Sequence, residues 1–329
     1  MNSKQKQTVV AIDIGHSTVK VSTSGKKLIF PSVATSALRI SDQNEAIVAD
    51  REKVFLNSKP WFFGETALLQ GGMNWATGLS DDWIDSQEHA VLFLGALKKL
   101  EQVEIGTPNL IIAGLPVQAM KPEMTHVDRL KRSFSELCPN SEIKVVPQPY
   151  GAFSNITLDV NGLPQPDRLI HHISWAVIDV GFYTTDFILI NKGHWIEMAS
   201  ASCPGISMAA EHLMQRLSNK SIKIDMADAD AALRQQSISY FGKQIDIKED
   251  ITESISIASS KIIDTADRYF SPHASKLNGI YVSGGGAASV IEGLKSKWPH
   301  VVIAEDPRMA VVEGMRRFGE FSVLSRQRG

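Results

Sequence analysis

One short pattern occurs twice in the chain, and it limits the possible folds more than any other feature of the sequence. The segment Val9–Gly15 (VVAIDIG) returns as Trp175–Gly181 (WAVIDVG). The aspartates of the two copies, Asp13 and Asp179, are 166 residues apart, which is close to half of the 329 residues. In both copies a short polar segment and a second apolar run follow. Each copy therefore predicts a strand, a tight turn and a second strand.

The rest of the chain alternates short apolar runs with longer stretches of helical periodicity, which is typical of an α/β protein. The predicted strands are Thr8–Ile14, Val19–Thr23, Asn109–Ala113, Ile143–Val146, Trp175–Val180, Asp186–Ile190, Gly279–Val282 and Val301–Ala304. The predicted helices are Gln87–Leu100, Met124–Leu137, Ser207–Leu217, Thr252–Tyr269, Ala287–Lys297 and Pro307–Phe318. In the last helix, Pro307 is expected in the first turn with Asp306 as its cap.

Composition excludes several classes of protein. Hydrophobic residues make up 43% of the chain, which is enough for a large buried core. The formal charge is −2, so no overall basic field favours direct binding of nucleic acid. Cys138 and Cys203 lie far apart without other ligands at metal spacing, so we expect two buried thiols in a reducing compartment. Since no run of 18 apolar residues occurs, a membrane span is not expected and the predicted location is the cytoplasm.

The repeated pattern also suggests a chemistry. A carboxylate at the end of a buried strand needs compensation, and a following glycine lets the turn backbone approach a ligand closely. Two such turns would bind phosphate oxygens, while Asp13 and Asp179 would hold Mg²⁺ through water. Lys20, on the strand that leaves the first turn, would neutralise a terminal phosphate. The alternative interpretation is two ordinary hairpins in which each aspartate stabilises a turn.

Two further segments fit a nucleotide. Gly284, Gly285 and Gly286 lie between an apolar strand and a helix start, where a nucleotide could approach closely. A dinucleotide-binding turn is the alternative, but only about 25 residues follow the acidic pair that it would need, too few to complete that sheet. Gln148 follows a strand and would orient a water without acting as a strong base, or would simply lie in a proline-rich turn.

Taken in order, five motifs resemble those of the actin, Hsp70 and sugar-kinase ATPase superfamily. They are a first phosphate motif, a first connecting motif, a second phosphate motif, an adenosine motif and a second connecting helix: Ala11–Lys20, Pro147–Ala152, Val177–Asp186, Val282–Ala287 and Asp306–Gly314. Trp61–Ala67, Ile112–Val117 and the triple glycine are similar to segments of the plasmid-segregating bacterial actins of the ParM/StbA type and their archaeal relatives.

The resemblance implies an α/β, actin-like (ribonuclease H-like) fold of two duplicated domains with the nucleotide in the cleft between them. The implied domains are residues 1–165, with a small subdomain at about 33–100 and a returning helix at about 313–329, and residues 166–312, with a small subdomain at about 207–270.

The resemblance also implies roles for individual residues. Asp13 and Asp179 would organise the waters of Mg²⁺, and Gln148 would place the attacking water. The residues implied to bind the nucleotide, ATP or alternatively GTP, are Gly15, His16, Ser17, Thr18, Lys20, Gly181, Thr184, Gly284, Gly285, Gly286, Lys248 and Glu249. His16 replaces a smaller residue and would bind a phosphate or face solvent. Phe182 and Tyr183 occupy positions that are often glycine, which implies slow hydrolysis.

The implied function is a filament-forming ATPase that polymerises with itself and moves plasmid DNA through a DNA-binding adaptor on the plasmid centromere. Two alternatives remain at this point. One is a small-molecule kinase of the same superfamily, for which the sequence offers no distinct carboxylate base. The other is a membrane-linked assembly protein of the cell-division or pilus type, in which the tail Met315–Gly329 lies at the membrane interface rather than ending as a frayed helix.

Overall fold

Both copies of the repeated pattern form an antiparallel pair of strands, and each pair lies in the middle of a larger sheet. A computed structural model describes residues 7–71, 83–121 and 125–328. Contacts divide the chain into two units, residues 1–170 with 309–329 and residues 171–308. Met124, Gly329 and part of the expected small subdomain at 33–100 lie outside the described residues.

The helices and strands have the following bounds. The strands are β1 (Val9–Ile14), β2 (Thr18–Ser22), β3 (Lys27–Pro31), β4 (Ala34–Ser36), β5 (Lys53–Leu56), β6 (Lys59–Phe63), β7 (Leu110–Leu115), β8 (Glu142–Pro147), β9 (Ser174–Val180), β10 (Thr184–Asn191), β11 (His194–Trp195), β12 (Ala201–Pro204), β13 (Ile238–Tyr240), β14 (Lys243–Ile245), β15 (Gly279–Ser283) and β16 (Val301–Ile303). The helices are α1 (Gln43–Asp50), α2 (Gly64–Gln70), α3 (Gln87–Gln102), α4 (His126–Leu137), α5 (Gln148–Thr157), α6 (Ser207–Asn219), α7 (Met226–Gln235), α8 (Lys248–Phe270), α9 (Ala287–Lys297) and α10 (Ala310–Arg328).

The two large sheets have the same topology. In the first unit the strand order is β3-β2-β1-β7-β8, and in the second it is β11-β10-β9-β15-β16, with β12 also paired to β10. In each sheet the repeated pattern forms an antiparallel pair, and two parallel strands continue the sheet on the other side. The predicted α/β class and all eight predicted strands are confirmed, with ends that differ by at most two residues.

Alternating side chains of the central strands form the core of each unit. In the first unit, Ile12 and Val21 pack in one apolar cluster with Phe93 of α3. In the second unit, Ile178 of β9 packs in a cluster with Phe270 of α8. All of these side chains are buried, which is what a sheet covered by helices requires.

Each unit also carries smaller elements whose strands the sequence did not predict. β4, β6 and β5 form a three-stranded sheet in the first unit, and β13 and β14 form a hairpin in the second. Several of these strands have only three residues, and β13 and β14 are partly exposed along their length. Such short segments show no period of two, so they carry no signal that distinguishes them from loops.

Helix α8 begins at Lys248, four residues before the predicted start at Thr252. The prediction missed the first turn of the helix because a charged residue occupies a buried position there. Asp250 is 1% exposed and interrupts the apolar periodicity. Arg216 donates from Nε to Asp250 at 2.9 Å, and Lys220 contacts the same carboxylate at 2.7 Å. The two cations compensate the buried charge and hold α6 to the start of α8.

The predicted start of the last helix at Pro307, with Asp306 as its cap, is wrong. Helix α10 begins at Ala310, and Pro307 lies in the turn that precedes it. The Pro307 carbonyl accepts a hydrogen bond from the backbone N–H of Gly284 at 2.8 Å. That bond draws the segment toward the end of β15, so the chain enters the helix three residues later than the proline predicts.

The tail after Phe318 continues as regular helix instead of fraying. The Phe318 ring contacts Tyr150 of α5 at a centroid distance of 5.5 Å, and Val323 is buried. Near the end of α10, Arg326 forms an ion pair with Glu142 of β8 at 2.6 Å. Most apolar side chains of the tail therefore pack on the first unit. Among the described residues, no helix has the length and apolarity that a membrane crossing needs.

The two cysteines differ in burial. Cys138 is buried, as predicted, whereas Cys203 is only half-buried. Both are free thiols.

A buried ion-pair network fastens α10 to the first unit. Glu313 is 8% exposed and Arg316 2%. Glu313 accepts hydrogen bonds from Arg316 at 2.8 Å and from the Ser22 hydroxyl of β2 at 2.6 Å. Arg316 also donates to the Val160 carbonyl at 2.9 Å. Burial opposes ionisation of Glu313, but the bonds from Arg316 and Ser22 outweigh it and lower its pKa to about 2.

We predict that Glu313→Gln destabilises the protein by about 3 kcal/mol, because the buried Arg316 would lose its nearest carboxylate and keep only the longer contact with Glu320 at 3.7 Å. Because the pKa of Glu313 lies lower in the folded chain, its stabilising effect is present above about pH 4.5 and is lost as the pH falls toward 2. Urea unfolding at several pH values would measure both effects. Glu142→Gln is the control, because it removes the exposed ion pair that Glu142 of β8 forms with Arg326 near the end of α10, and it should change stability by less than about 1 kcal/mol. Equal effects of the two variants would contradict the prediction.

Candidate functional site

The first turn, residues 15–17, connects β1 to β2 and is held by backbone hydrogen bonds. The Gly15 N–H donates to the Thr18 carbonyl at 3.2 Å. Ser32 holds the turn from the β3 side, since its N–H donates to the Ser17 carbonyl at 3.1 Å and its hydroxyl to the Gly15 carbonyl at 2.5 Å. These bonds occupy carbonyl oxygens, so the turn has a defined backbone shape before any ligand binds.

Asp13 is compensated by two side chains of its own unit. The hairpin register places Lys20 of β2 directly opposite Asp13 of β1, and Lys20 Nζ lies 3.1 Å from Asp13 Oδ2. Gln148 donates from Nε2 to Asp13 Oδ1 at 2.7 Å. The Asp13 carboxylate is only 2% exposed, so both contacts offset the loss of its hydration. Three predicted site residues thus meet at the first turn.

Gln148 reaches this place because α5 begins directly where β8 ends. It is the first residue of α5, and Pro149 occupies the next helical position. A Cβ atom on Gly114 of β7 would lie 2.9 Å from Gln148 Cγ, so the missing side chain of Gly114 leaves room for the glutamine. An amide in contact with a buried carboxylate can orient a water but cannot act as a strong base.

His16 neither faces solvent nor stands alone in the first turn. Its ring packs on Trp83 with a centroid distance of 6.0 Å and an interplanar angle of 26°. Burial lowers the pKa of His16 to about 4, although the charge of Asp13 acts in the opposite direction. His16 is therefore neutral near pH 7 and provides hydrogen-bonding nitrogens rather than a positive charge.

The second turn, residues 181–183, is supported by the start of α6. The Gly181 N–H donates to the Thr184 carbonyl at 2.9 Å, which repeats the bond between Gly15 and Thr18. The carbonyls of Phe182 and Tyr183 accept from Ser207 at 2.7 Å and from Gly205 at 2.8 Å. Phe182 packs on the apolar cluster of α6, α7 and α8. A bulky residue at this turn position is therefore accommodated by packing within the second unit.

Asp179 has different neighbours from Asp13, although both occupy the same place in the repeat. Ser283 lies opposite Asp179 on β15 and donates from Oγ to Oδ1 at 2.9 Å. On the other side, the residue opposite Asp179 is Asp186 of β10, where the first unit has Lys20. Asp186 is 1% exposed and accepts hydrogen bonds from Ser202 and, at 3.4 Å, from Thr184. Hydroxyl groups therefore surround the aspartates of the second unit.

The glycine turn, residues 284–286, joins β15 to α9 in a conformation that requires glycine. Gly284 has φ +91°, and a Cβ on it would lie 2.3 Å from the Val180 carbonyl oxygen. The Gly286 N–H donates to that same carbonyl at 3.0 Å. Gly285 differs because a Cβ there would meet nothing within 4 Å. One side of the turn thus packs against the end of β9, while Gly285 faces open space.

Two predicted residues make no direct contact of their own with these turns through hydrogen bonds in the described residues. Lys248 and Glu249 are exposed at the start of α8. Within the described part of the chain, neither forms a hydrogen bond with the glycine turn or the second turn. The Lys248 N–H is instead capped by Asp246 at 3.2 Å.

Sequence reasoning missed three residues that shape the turns: Ser32, Ser283 and Trp83. Ser283 directly precedes the three glycines and could have been included with them. Ser32 and Trp83 are distant in sequence from the turn that they contact, so no spacing rule identifies them.

The carboxylate oxygens near the turns could hold Mg²⁺ only through bound water molecules. Within the described ranges, no group of three or more histidine, cysteine, aspartate or glutamate side chains is arranged to hold a metal. Mg²⁺ commonly keeps several waters and binds one or two carboxylates together with substrate phosphates. A single carboxylate beside a turn, such as Asp13 in the first unit or Asp179 in the second, has the chemistry for that water-mediated manner of binding.

Two models of actin-like protein families match this chain, in agreement with the topology of its sheets. Residues 11–151 match the N-terminal domain of actin-like proteins, and residues 177–296 match the C-terminal part of the archaeal MreB-like actin homologues. No curated protein matches the chain. Together the two family matches span most of it, and the fold is that of actin homologues. The chain belongs to the actin-like proteins.

Solved structures of actin-like proteins are similar over almost the whole chain. A non-polymerisable quadruple mutant of pCBH ParM is 25% identical, with a TM-score of 0.73 over 95% of this chain and 99% of that chain. ParM in a 15-stranded filament from Clostridium botulinum is 23% identical, with a TM-score of 0.75 over 96% and 99%. An archaeal actin homologue in complex with ADP is 18% identical, with a TM-score of 0.64 over 97% and 99%.

We predict that two neighbouring alanine substitutions have very different effects on stability. Gly284→Ala should destabilise the protein by about 2 kcal/mol or more, because the new Cβ meets a backbone oxygen at positive φ. Gly285→Ala should change stability by less than about 0.5 kcal/mol, since its Cβ enters open space. Denaturant unfolding of both variants would measure this difference. A stability loss in Gly285→Ala as large as in Gly284→Ala would contradict the structure of the turn.

Proposed function

We propose that the protein binds ATP, or alternatively GTP, with Mg²⁺ through its first turn, second turn and glycine turn. The observation that carries this proposal is the contact of Asp13 with both Lys20 and Gln148 beside the first turn. A carboxylate, an ammonium group and a water-orienting amide are the groups that phosphoryl transfer needs. The ADP complex of a structurally similar archaeal actin homologue supports the same ligand class.

In this proposal, the predicted domains 1–165 and 166–312 each supply one phosphate-binding turn. Gly15, Ser17, Thr18 and Lys20 bind phosphates from the first domain, and Gly181 and Thr184 from the second. Asp13 and Asp179 would hold Mg²⁺ through water, and Mg²⁺ when bound would neutralise charge on the phosphates. Gly284, Gly285 and Gly286 support the remainder of the nucleotide, with Lys248 and Glu249 near the ribose.

We predict that Gln148→Ala lowers the rate of ATP hydrolysis by about 100-fold, because a water is no longer oriented for attack. Nucleotide affinity should change by less than about threefold, since Lys20 continues to compensate Asp13. Phosphate release and calorimetric ADP binding would separate the two effects. Gln102→Ala, an exposed glutamine at the end of α3, is the control. If Gln148→Ala loses affinity and rate to the same extent, the glutamine acts by holding Asp13 and not by placing water.

We propose further that the nucleotide controls head-to-tail assembly into filaments. The structural similarity to ParM in a filament supports this assignment. A heterologous contact between identical chains naturally produces an open polymer. In this role the protein segregates plasmid DNA in the cytoplasm through a DNA-binding adaptor on the plasmid centromere. The net charge of −2 favours an adaptor over direct contact with DNA.

Electron microscopy and pelleting with Mg-ATP and with a non-hydrolysable analogue test this function. We expect filaments with both nucleotides in the parent protein and none in Asp179→Ala, because that variant lacks one of the two carboxylates. Glu197→Ala, an exposed position in the same unit, serves as the control. Absence of a nucleotide-dependent polymer in the parent at every protein concentration would reject the filament proposal. Normal turnover by Asp179→Ala would reject the site.

A further inference from the structure

The first turn is anchored differently at each of its residues. Ser32 holds the carbonyls of Gly15 and Ser17 by hydrogen bonds. His16 lies between them, and its ring packs on Trp83. A turn that presents its backbone to phosphate must keep one conformation, because productive binding depends on positions within about half an ångström. The contact between His16 and Trp83 is therefore a candidate for setting the middle of the turn.

Trp83 is itself held firmly. It lies in a short 3-10 turn, Trp83–Asp85, just before α3. The Ser86 hydroxyl donates to the Trp83 carbonyl at 2.7 Å and accepts from the His89 N–H at 3.0 Å, so the same serine caps α3 and fixes the tryptophan backbone. The Trp83 side chain is 8% exposed. Its position is thus determined by α3 and not by the first turn.

A column of rings continues from Trp83 into the core. Trp83 meets His89 edge to face at 5.6 Å, and His89 stacks on Phe134 of α4 at 5.6 Å. Phe134 in turn stacks on Phe93 of α3 at 3.8 Å. Phe93 and Phe134 are almost completely buried. The column therefore connects His16 to the buried, close-packed core of the first unit.

Core packing alone does not account for a tryptophan here. Among the described residues, the buried Nε1 of Trp83 and Nδ1 of His89 have no hydrogen-bond partner. A buried donor without an acceptor is unfavourable, and a phenylalanine or leucine would fill an apolar core without that penalty. The broad flat face of the indole is the feature that a smaller residue would lack, and that face lies against His16.

We propose that Trp83 is a positioning residue for the first turn: its indole face supports the His16 ring and so fixes the backbone of residues 15–17 for phosphate. The effect on the nucleotide rests on the proposed function, whereas the effect on the turn does not. Both histidines of the column are neutral near pH 7, since burial lowers the pKa of His16 to about 4 and that of His89 to about 3. The contact is thus a stack of neutral rings.

Hydrogen exchange of the full chain without nucleotide tests the effect on the turn. In Trp83→Leu we expect the peptide that contains residues 13–20 to exchange about tenfold faster, with the rest of the first unit unchanged. Trp83→Phe keeps a flat but smaller ring and should restore only part of the protection. Trp61→Leu is the matched control, because Trp61 is 7% exposed in the same apolar cluster. Unchanged exchange in folded Trp83→Leu would overturn the proposal, whatever the nucleotide result.

Calorimetry with ADP and with AMP tests the consequence for phosphate. Trp83→Leu should bind ADP about tenfold more weakly than the parent and AMP within about twofold, a difference that general loss of structure would not produce. His16→Ala should weaken ADP similarly, and combining the two substitutions should add little. Additive effects would overturn the pairing of Trp83 with His16. If the parent binds neither nucleotide, the proposed function fails, and the exchange experiment still decides the role of Trp83.

Discussion

The structure of the first unit is organised around one buried carboxylate. Asp13 lies near the end of the central strand, and its 2% exposure would be unfavourable without compensation. The hairpin register supplies Lys20 from β2, and the direct passage from β8 into α5 supplies Gln148. Each contact joins a different element to the same side chain. The chemistry proposed for the site and the local packing of β1, β2 and α5 therefore depend on the same two bonds.

The second unit repeats the backbone arrangement but not the charges. Strand order and directions are the same, and Gly181 repeats the turn bond of Gly15. Asp179, however, is held by the Ser283 hydroxyl, and the residue opposite it is an aspartate instead of a lysine. The two units thus share the backbone hydrogen bonding of the repeated pattern. The side chains around each aspartate differ, so the two turns offer different charges to a ligand.

Helix α10 shows how the end of the chain becomes part of the first unit. Gly314 and Gly151 allow α10 and α5 to cross closely, since a Cβ on Gly314 would lie 1.8 Å from the Gly151 carbonyl oxygen. The Glu313 and Arg316 network adds contacts to β2 and to the segment after α5. α5 is also the helix that begins with Gln148. Packing of the last helix therefore stabilises the element that carries a proposed site residue.

The sequence by itself determined the duplicated strand-turn-strand, the α/β class and the positions of Asp13, Asp179 and the three glycines, because a period of two and an Asp-x-Gly turn are local properties. Only the tertiary structure decided the contacts made over long separations. Ser283 contacts Asp179 because their strands pair in parallel, and Trp83, just before α3, packs on the His16 ring. The Pro307 carbonyl accepts a hydrogen bond from Gly284, so Pro307 stays outside the last helix. Each depends on packing between distant segments, and no local pattern encodes that.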